Sequence, residues 1–381
     1  PPNVGPEVVI TAPSAGQGVS VGATLKVSAT VTDSDGDVVQ VEILVGGESL
    51  AKRSEGPYEA DWALAKAGLQ SVTVRATDND GATSEASVSV AVYGDTPVPV
   101  DGLRLWLDAG EELTVSDAGV VNAWGDRSLF GHDVSQAELG LQPALSAEAV
   151  NGRAAVLFDG EDDNLSRAGV AGVDLLSADE VSVYAVVRQA RKSAANTVLA
   201  WEAPNHKNHL ALLTSYNDQF LIDHGNVSEG GRVSAAQPEG WDEAWHVLEF
   251  VRSGSSATVN VDSTPVELGE FSGTLDVALA GRLSVGAVPS LAFGGEIAEV
   301  LVYNRALTKP EQDGVKSYLG ARYGLFVTEN QAPTVTLTAP GAGTAIKQGG
   351  SLALKAAAAD ADGSIAKVLF FSGAKTLGVD E

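Results

Sequence analysis

Apolar and polar residues alternate with a period of two along most of this chain. Val8 and Ile10, then Leu25, Val27, Ala29 and Val31, are separated by polar neighbours, the pattern of half-buried strands. The runs VVQVEILV (38–45), SVTVRAT (71–77) and ASVSVAVY (86–93) continue it, and DSDG, GG, EGPY and DNDG punctuate them as turns. About seven short strands in roughly 90 residues predict a two-sheet β-sandwich over residues 1–94. The sequence has no Cys, so Trp62 and Tyr58 are the expected aromatic anchors of its core.

Pro and Gly then cluster in GDTPVPVDG, and residues 95–102 read as a linker. Alternation resumes in LRLWLD, AAVLF, VSVYAVVR, HVLEFVR, ATVNVD, RLSVG and EIAEVLVYN, which predict a larger β-rich domain over residues 103–326. One helix interrupts the strands near its end. Thr308 with Glu311 forms a capping box, and Pro310 sits in the first turn. Val315, Tyr318, Leu319 and Arg322 keep helical spacing, and Gly324 is a natural stop. A β domain of this size with one terminal helix fits a two-sheet jelly roll.

The remaining segment, 327–381, repeats the first domain without a gap. Pro6 and Pro333, Pro13 and Pro340, Gly22 and Gly349, Asp33 and Asp360, Gly36 and Gly363, and Leu50 and Leu377 all differ by 327 positions. This is a strong internal repeat. The matched stretch stops at Glu381, before counterparts of PYEADW and the later strands. The expectation is an incomplete second sandwich, completed either by more of the same chain or by another chain, inside a longer modular array.

Charge narrows the function. With 50 acidic against 24 basic residues, the formal net charge is −26, which disfavours nucleic acid and anionic membrane as partners and suits divalent cations. No apolar run approaches the roughly 18 residues of a membrane helix. Without Cys there is neither a thiol nucleophile nor a thiolate zinc site. There is also no Met, and the opening PPNVGP reads as an inter-domain linker, so the chain reads as a processed or internal piece.

The segments ITAPSAG, VTDSDGDVVQVEI, GPYEADW and VRATDNDGATSEASVSV resemble bacterial Ig-like modules, over residues 6–93 and again over 333–381. The segments GLRLWLDA, VNAWGDRSLFGHDVSQ, QPALSAEAVNGRAAVLFDGEDDNLS and GEIAEVLVYNRALTKPEQDGVKSYLGARYGL resemble the laminin-G-like jelly rolls of the concanavalin A-like lectin/glucanase superfamily. These resemblances imply an all-β chain: an Ig-like β-sandwich, a concanavalin A-like jelly roll with one C-terminal helix, and a partial second Ig-like sandwich. They also imply that Trp106 and Trp124 are packing residues. Relatives of the second kind include both binding modules and glycan-active enzymes, so the fold alone does not assign activity.

Glucanases of that superfamily carry an E-x-D-x-E strand, which lines up one carboxylate to attack and one to donate a proton. This chain has no such pattern. Glu296 and Glu299, three apart, are expected on opposite faces of a strand, so catalysis is not expected. FDGEDDNLS places Asp159, Asp162, Asp163 and Asn164 in one turn, where hard oxygen ligands would suit Ca²⁺; the alternative is a solvated turn anchored by Phe158 and Leu165. Asp33, Asp35 and Asp37, with Asp78 and Asp80 from a neighbouring turn, carry the same pair of readings, calcium or Asp-rich turns bonding their own backbone. Asp360 and Asp362 repeat the first of these turns. His206, His209 and His224 make a transition-metal site conceivable, but no carboxylate is evidently paired with them. A sugar site fits this region better. Trp201, Tyr216 and Trp241 could stack on sugar faces, and Asn205, His206, Asn208 and Asp223 could bond hydroxyls, whereas Trp245 reads as packing inward.

The expected function is a non-catalytic segment of a large secreted or cell-surface bacterial protein, acting in adhesion or glycan binding with Ca²⁺ as the cofactor. The alternatives are a structural subunit of an extracellular fibre or surface layer, and an accessory region of a polysaccharide-degrading enzyme. Expected partners are a surface glycan and further copies of the chain or neighbouring Ig-like domains, with no nucleic acid and no membrane insertion.

Overall fold

The computed structural model describes residues 3–190, 195–217, 219–288, 291–325 and 333–380, apart from 342, 346, 348, 360–364, 366 and 374. The chain is all-β, as the alternation predicts, with one long helix. It divides into two compact units, 1–307 and 308–381.

The first unit opens with eight strands: β1 (Glu7–Ala12), β2 (Gln17–Ser20), β3 (Thr24–Thr32), β4 (Val38–Val45), β5 (Glu48–Arg53), β6 (Tyr58–Ala63), β7 (Gly68–Asp78) and β8 (Thr83–Tyr93). One sheet has the order β1-β3-β6 and the other β2-β8-β7-β4-β5. Val27, Val41, Ile43, Val72, Val74 and Val90 are fully buried in this Ig-like domain, and Trp62 joins them, with Tyr58 packed at the margin. The alternating residues thus face inward as a half-buried sandwich requires.

Residues 103–303 form a second, larger two-sheet sandwich. Its main strands are β9 (Leu103–Asp108), β10 (Arg153–Asp159), β11 (Glu180–Gln189), β12 (Ala195–Glu202), β13 (Asn208–Tyr216), β14 (Gln219–Asn226), β15 (Arg232–Ala236), β16 (Trp245–Ser253), β17 (Ser256–Val261), β18 (Ala280–Val285) and β19 (Gly294–Tyr303). A nine-stranded sheet runs along one edge as β18-β12-β13-β14-β15, and an eight-stranded sheet contains β10-β19-β11-β16-β17, with β9 also paired to β19. Between the sheets lies one apolar core that includes Trp124, Phe158, Trp201, Phe220, Trp241, Phe250 and Phe271. Trp106 is 2% exposed.

The two sandwiches touch directly. The Tyr93 hydroxyl at the end of β8 donates to the Ser128 carbonyl, and Arg104 Nη2 donates to the Ala15 carbonyl at 3.4 Å. Gly16 has φ of 69°, and a Cβ there would stand 2.0 Å from the Arg104 guanidinium. The left-handed backbone favours Gly there, and any side chain would have to displace the Arg104 guanidinium.

The second unit begins with α1 (Lys309–Tyr323), which starts at the capping box of Thr308 and Glu311 and stops at Gly324 with φ of 64°. The Thr308 amide donates to Glu311 Oε2 at 2.8 Å. Val315 and Leu319 are buried on one face. Four strands follow in two separate pairs: β20 (Thr334–Ala339) with β21 (Lys355–Ala359), and β22 (Val368–Ser372) with β23 (Lys375–Asp380).

Candidate functional site

The site grows from the strand period of two. Along β12 to β15, one set of side chains enters the core: Leu199, Trp201, Leu210, Leu212, Phe220, Ile222 and Val233. The intervening residues face outward and are ordered by register. Glu202 lies opposite His209. Ala200 lies opposite Ala211, Ala211 opposite Asp223, and Asp223 opposite Arg232. Leu213 lies opposite Leu221. The outward surface is therefore charged in its first rows and aliphatic in its third.

A cavity of about 360 Å³ occupies this surface, lined by these residues together with His206, Tyr216 and Leu291. Its floor is a small apolar cluster of Ala200, Ala211, Leu213 and Leu221, with Leu291 packed against it. At the polar end, Arg232 grips both oxygens of Asp223 at 2.6 and 2.8 Å. Burial alone would raise the Asp223 carboxyl, but the Arg232 and His209 side chains outweigh it and hold it below the usual carboxylate range. His209 stands between two carboxylates, with Nδ1 3.6 Å from Asp223 and Nε2 3.7 Å from Glu202. Exposed His206 reaches the same Glu202 at 2.5 Å.

Of the residues expected to bind sugar, His206, Tyr216 and Asp223 line this cavity. Asn205 lies beside it in the β12–β13 turn, accepting the amides of Lys207 and Asn208 at 3.0 and 3.2 Å. Trp201 and Trp241 do not serve as platforms. Trp201 is fully buried and donates to the Val170 carbonyl at 3.0 Å, and Trp241, 2% exposed, is stacked on His246. Both occupy the core side of the sandwich, where a large apolar ring gains most from burial. Asn208 is also buried, and its side-chain oxygen accepts the Asp276 amide at 3.3 Å. Trp245 is half-buried, with the Arg188 guanidinium 5.8 Å from its ring.

The histidine expectation is corrected in two ways. His224 is one residue from Asp223 and so faces the other side of β14; it is fully buried, with burial and Arg252 pushing its imidazole down to about 3. His206 and His209 do have carboxylate neighbours, Glu202 and Asp223. Strand pairing brings Asp223 to His209 and sets Glu202 opposite it, whereas Glu202 and His206 are four residues apart along the chain. Glu202, His209 and Arg232 also line the cavity and were not among the residues expected there from the sequence. Their signal was outward parity on neighbouring strands, readable only once the pairing is known.

The acidic turns separate into two cases. Asp159, Asp162 and Asp163 bring one carboxylate oxygen each within 4.8 Å of one another. Asp159 Oδ1 accepts the amides of Glu161, Asp162 and Asp163 at 2.8, 3.2 and 3.4 Å, and Asp163 Oδ2 accepts the Asp159 amide at 3.0 Å. Burial, reinforced by Asp159 and Asp162, pushes the Asp163 carboxyl up to about 6. Three converging carboxylates have the donor chemistry for a hard cation, while the Asn164 side-chain oxygen is turned to Gln136 at 3.2 Å. Phe158 and Leu165 anchor the turn in the core.

In the first domain, the two acidic turns do meet, but through Asn79, whose side chain accepts the Asp37 amide at 2.7 Å. Asp33 accepts the amides of Asp35 and Gly36, Asp35 accepts the Val4 amide, and Asp78 accepts those of Asp80 and Ala82. The Asn3 side chain and these amides hold Asp78 below its ordinary range against burial. Among the described residues, the group that gathers ligand oxygens is Asp159, Asp162 and Asp163. Asp360 and Asp362 lie outside the described residues.

The opposite-face expectation for Glu296 and Glu299 is also corrected. A bulge in β19 pairs Ile297 with Val187 but Glu299 with Val186. This extra residue puts both carboxylates on the side away from the core. Each is buried and engaged: Glu296 with Arg188, and Glu299 accepting the Trp106 indole N–H at 2.7 Å. On the same face, Glu249 accepts the Tyr184 hydroxyl at 2.9 Å and the Asn260 amide at 2.6 Å.

Residues 6–76 and 333–381 match the family model described as a bacterial Ig domain. No curated protein matches the sequence. Among solved structures, the chain is similar to fibronectin(III)-like modules of Clostridium thermocellum CbhA, at 36% identity over 24% of this chain and 100% of that one, with a TM-score of 0.22. It is similar to domain 4 of AbnA, an extracellular arabinanase of Geobacillus stearothermophilus solved with arabinotriose, at 14% identity over 54% of this chain and 94% of that one, with a TM-score of 0.34. It is also similar to the sialidase of Trypanosoma rangeli, at 14% identity over 78% of this chain and 48% of that one, with a TM-score of 0.39. The chain thus spans about half the length of the sialidase. Among the described residues, no helix is long and apolar enough to cross a membrane.

Proposed function

We propose that this chain is a glycan-binding, non-catalytic segment of a secreted or surface-exposed carbohydrate-active or adhesive protein, and that its larger sandwich is a concanavalin A-like jelly roll. The observation that carries the reading is the outer-face cavity, in which an aliphatic floor adjoins Glu202, His209 and Asp223. A sugar presents C–H surface on one side and hydroxyls around its rim, and such a ligand meets both halves of the cavity at once. The buried, engaged carboxylates Glu296, Glu299 and Glu249 support a structural role for these residues.

A glycan array followed by calorimetry tests the reading. His209→Ala and Tyr216→Ala should each weaken binding at least about tenfold, and unchanged affinity in both would place binding elsewhere. Release of reducing sugar from a polysaccharide panel would overturn the non-catalytic part.

Ca²⁺ is proposed at Asp159, Asp162 and Asp163. Calorimetry with Ca²⁺ against chelator should show a higher melting temperature in the parent and no shift in Asp162→Asn.

A further inference from the structure

We propose that the outer-face cavity selects a neutral sugar carrying a methyl group, a 6-deoxy or an N-acetyl sugar, and this rests on the glycan-binding reading. The motive is the chemistry of the floor. A bare pyranose face is best met by a flat aromatic ring, but the two tryptophans of this region are turned into the core, and Tyr216 lines the cavity without belonging to its floor. The floor is instead built from the methyl groups of Ala200, Ala211, Leu213, Leu221 and Leu291. Ala200 and Ala211 stand side by side on adjacent strands, so the hollow exists because two small residues meet there.

The polar groups lie at one end. Glu202 and His209 occupy the first row and Asp223 the second, while the third row is Leu213 and Leu221. A sugar bound with hydroxyls on Glu202 and His209 at the polar end directs its opposite edge onto the leucines. A methyl there loses water contact at no polar cost, whereas a hydroxymethyl buries a hydroxyl against groups that cannot bond it. Discrimination of this kind reaches about 10- to 100-fold. The sign of the charge narrows the class further. Arg232 is engaged with both oxygens of Asp223, and Glu202 contributes a second carboxylate, so a uronic or sialic acid meets repulsion at the polar end.

The test uses sugar pairs that differ at one position, each titrated calorimetrically against the full chain. Methyl glycosides of L-fucose and L-galactose, and of L-rhamnose and L-mannose, differ by the C6 hydroxyl. N-acetylglucosamine against glucose probes the acetyl methyl. At least one methyl-bearing member should bind tenfold or more tightly than its partner, and which pair responds identifies the source of the methyl. Equal affinity within every pair that binds overturns the methyl preference and leaves glycan binding standing. Absence of binding for every sugar on the panel and on a broad array overturns both. Ala211→Leu fills the hollow and should abolish the preference. If that variant does not fold, Leu291→Ser makes polar the one floor residue contributed from outside β12 to β15 and should reduce the preference at least threefold; a preference that survives it overturns the assignment.

Discussion

The first domain and its repeat have the same strand pairs and opposite fates. In the first, Val8 pairs with Val31 and Val41 with Arg53. The same pairs recur 327 positions later: Val335 pairs with Ala358 and Val368 with Asp380. Even the irregularities correspond, between Ile10 and Ala12 and between Leu337 and Ala339. The side chains differ in what they meet. Val27, Val41 and Ile43 are fully buried, whereas Val335 is 66% and Phe371 56% exposed. In the first domain β6 pairs with β3 and β7 with β4, and these strands come from residues 55–93, which the repeat does not match. Hairpin register is local, but a core needs both halves of the sandwich.

The largest effect is expected from adding to the repeat the strands that complete the first domain. Joining a copy of residues 55–93 after residue 381 should convert 333–380 into a cooperatively folded domain, read as amide protection in β20 to β23 rising by orders of magnitude. If protection stays as before, the shared register does not encode a shared sandwich. Next come paired core truncations. Ile43→Ala should cost about 2–5 kcal/mol in the first domain, while its counterpart Phe370→Ala should cost about 0.5 kcal/mol or less. Denaturant titration of both variants compares them, and similar losses would break the contrast.

The acidic turns sharpen the comparison further. In the first domain Asp78, though buried, is held below its ordinary range by the Asn3 side chain and neighbouring amides, whereas Asp163 in the larger sandwich is buried with its carboxyl pushed up to about 6, against 3.8 for the ordinary group. The folded state keeps a proton that the unfolded chain has lost, so this group reduces stability as pH rises from about 4 to about 6. Asp163→Asn keeps an acceptor for the Asp159 amide, flattens that slope, and should be more stable than the parent at pH 7 by about 1–2 kcal/mol. His224, held neutral down to about 3 rather than 6.5, acts in the opposite sense, removing stability as pH falls through that window. Thermal melts from pH 4 to 7 separate the two. The smallest effect concerns the junction. Tyr93→Phe removes the hydroxyl donor to Ser128 and should cost about 0.5–1.5 kcal/mol, measured as a shift in the denaturation midpoint.

Much of the fold was legible in the sequence. Alternation located the strands, and Thr308, Glu311 and Gly324 marked the helix to the residue. The candidate site was legible only in part. Tyr216, His206 and Asp223 were found because polar and aromatic types stand out in an apolar stretch. Trp201 and Trp241 misled because an aromatic type does not report which face of its strand is covered. Glu296 and Glu299 misled because a parity count assumes an unbroken ladder, and the bulge at Ile297–Glu299 adds one residue.

By itself the sequence determined the strand period, the turns, the helix caps and the 327-residue repeat, since each depends on residues close along the chain or on direct comparison of two stretches. Tertiary structure alone decided which outward residues share a surface: Glu202 with His209 and Asp223 with Arg232 meet across strands. It also decided that Ala200 and Ala211 together leave a hollow. The reason is physical. Period and capping are satisfied within a few residues, whereas a cavity is a property of neighbouring strands whose pairing is set by the burial of the opposite face of the same sheet.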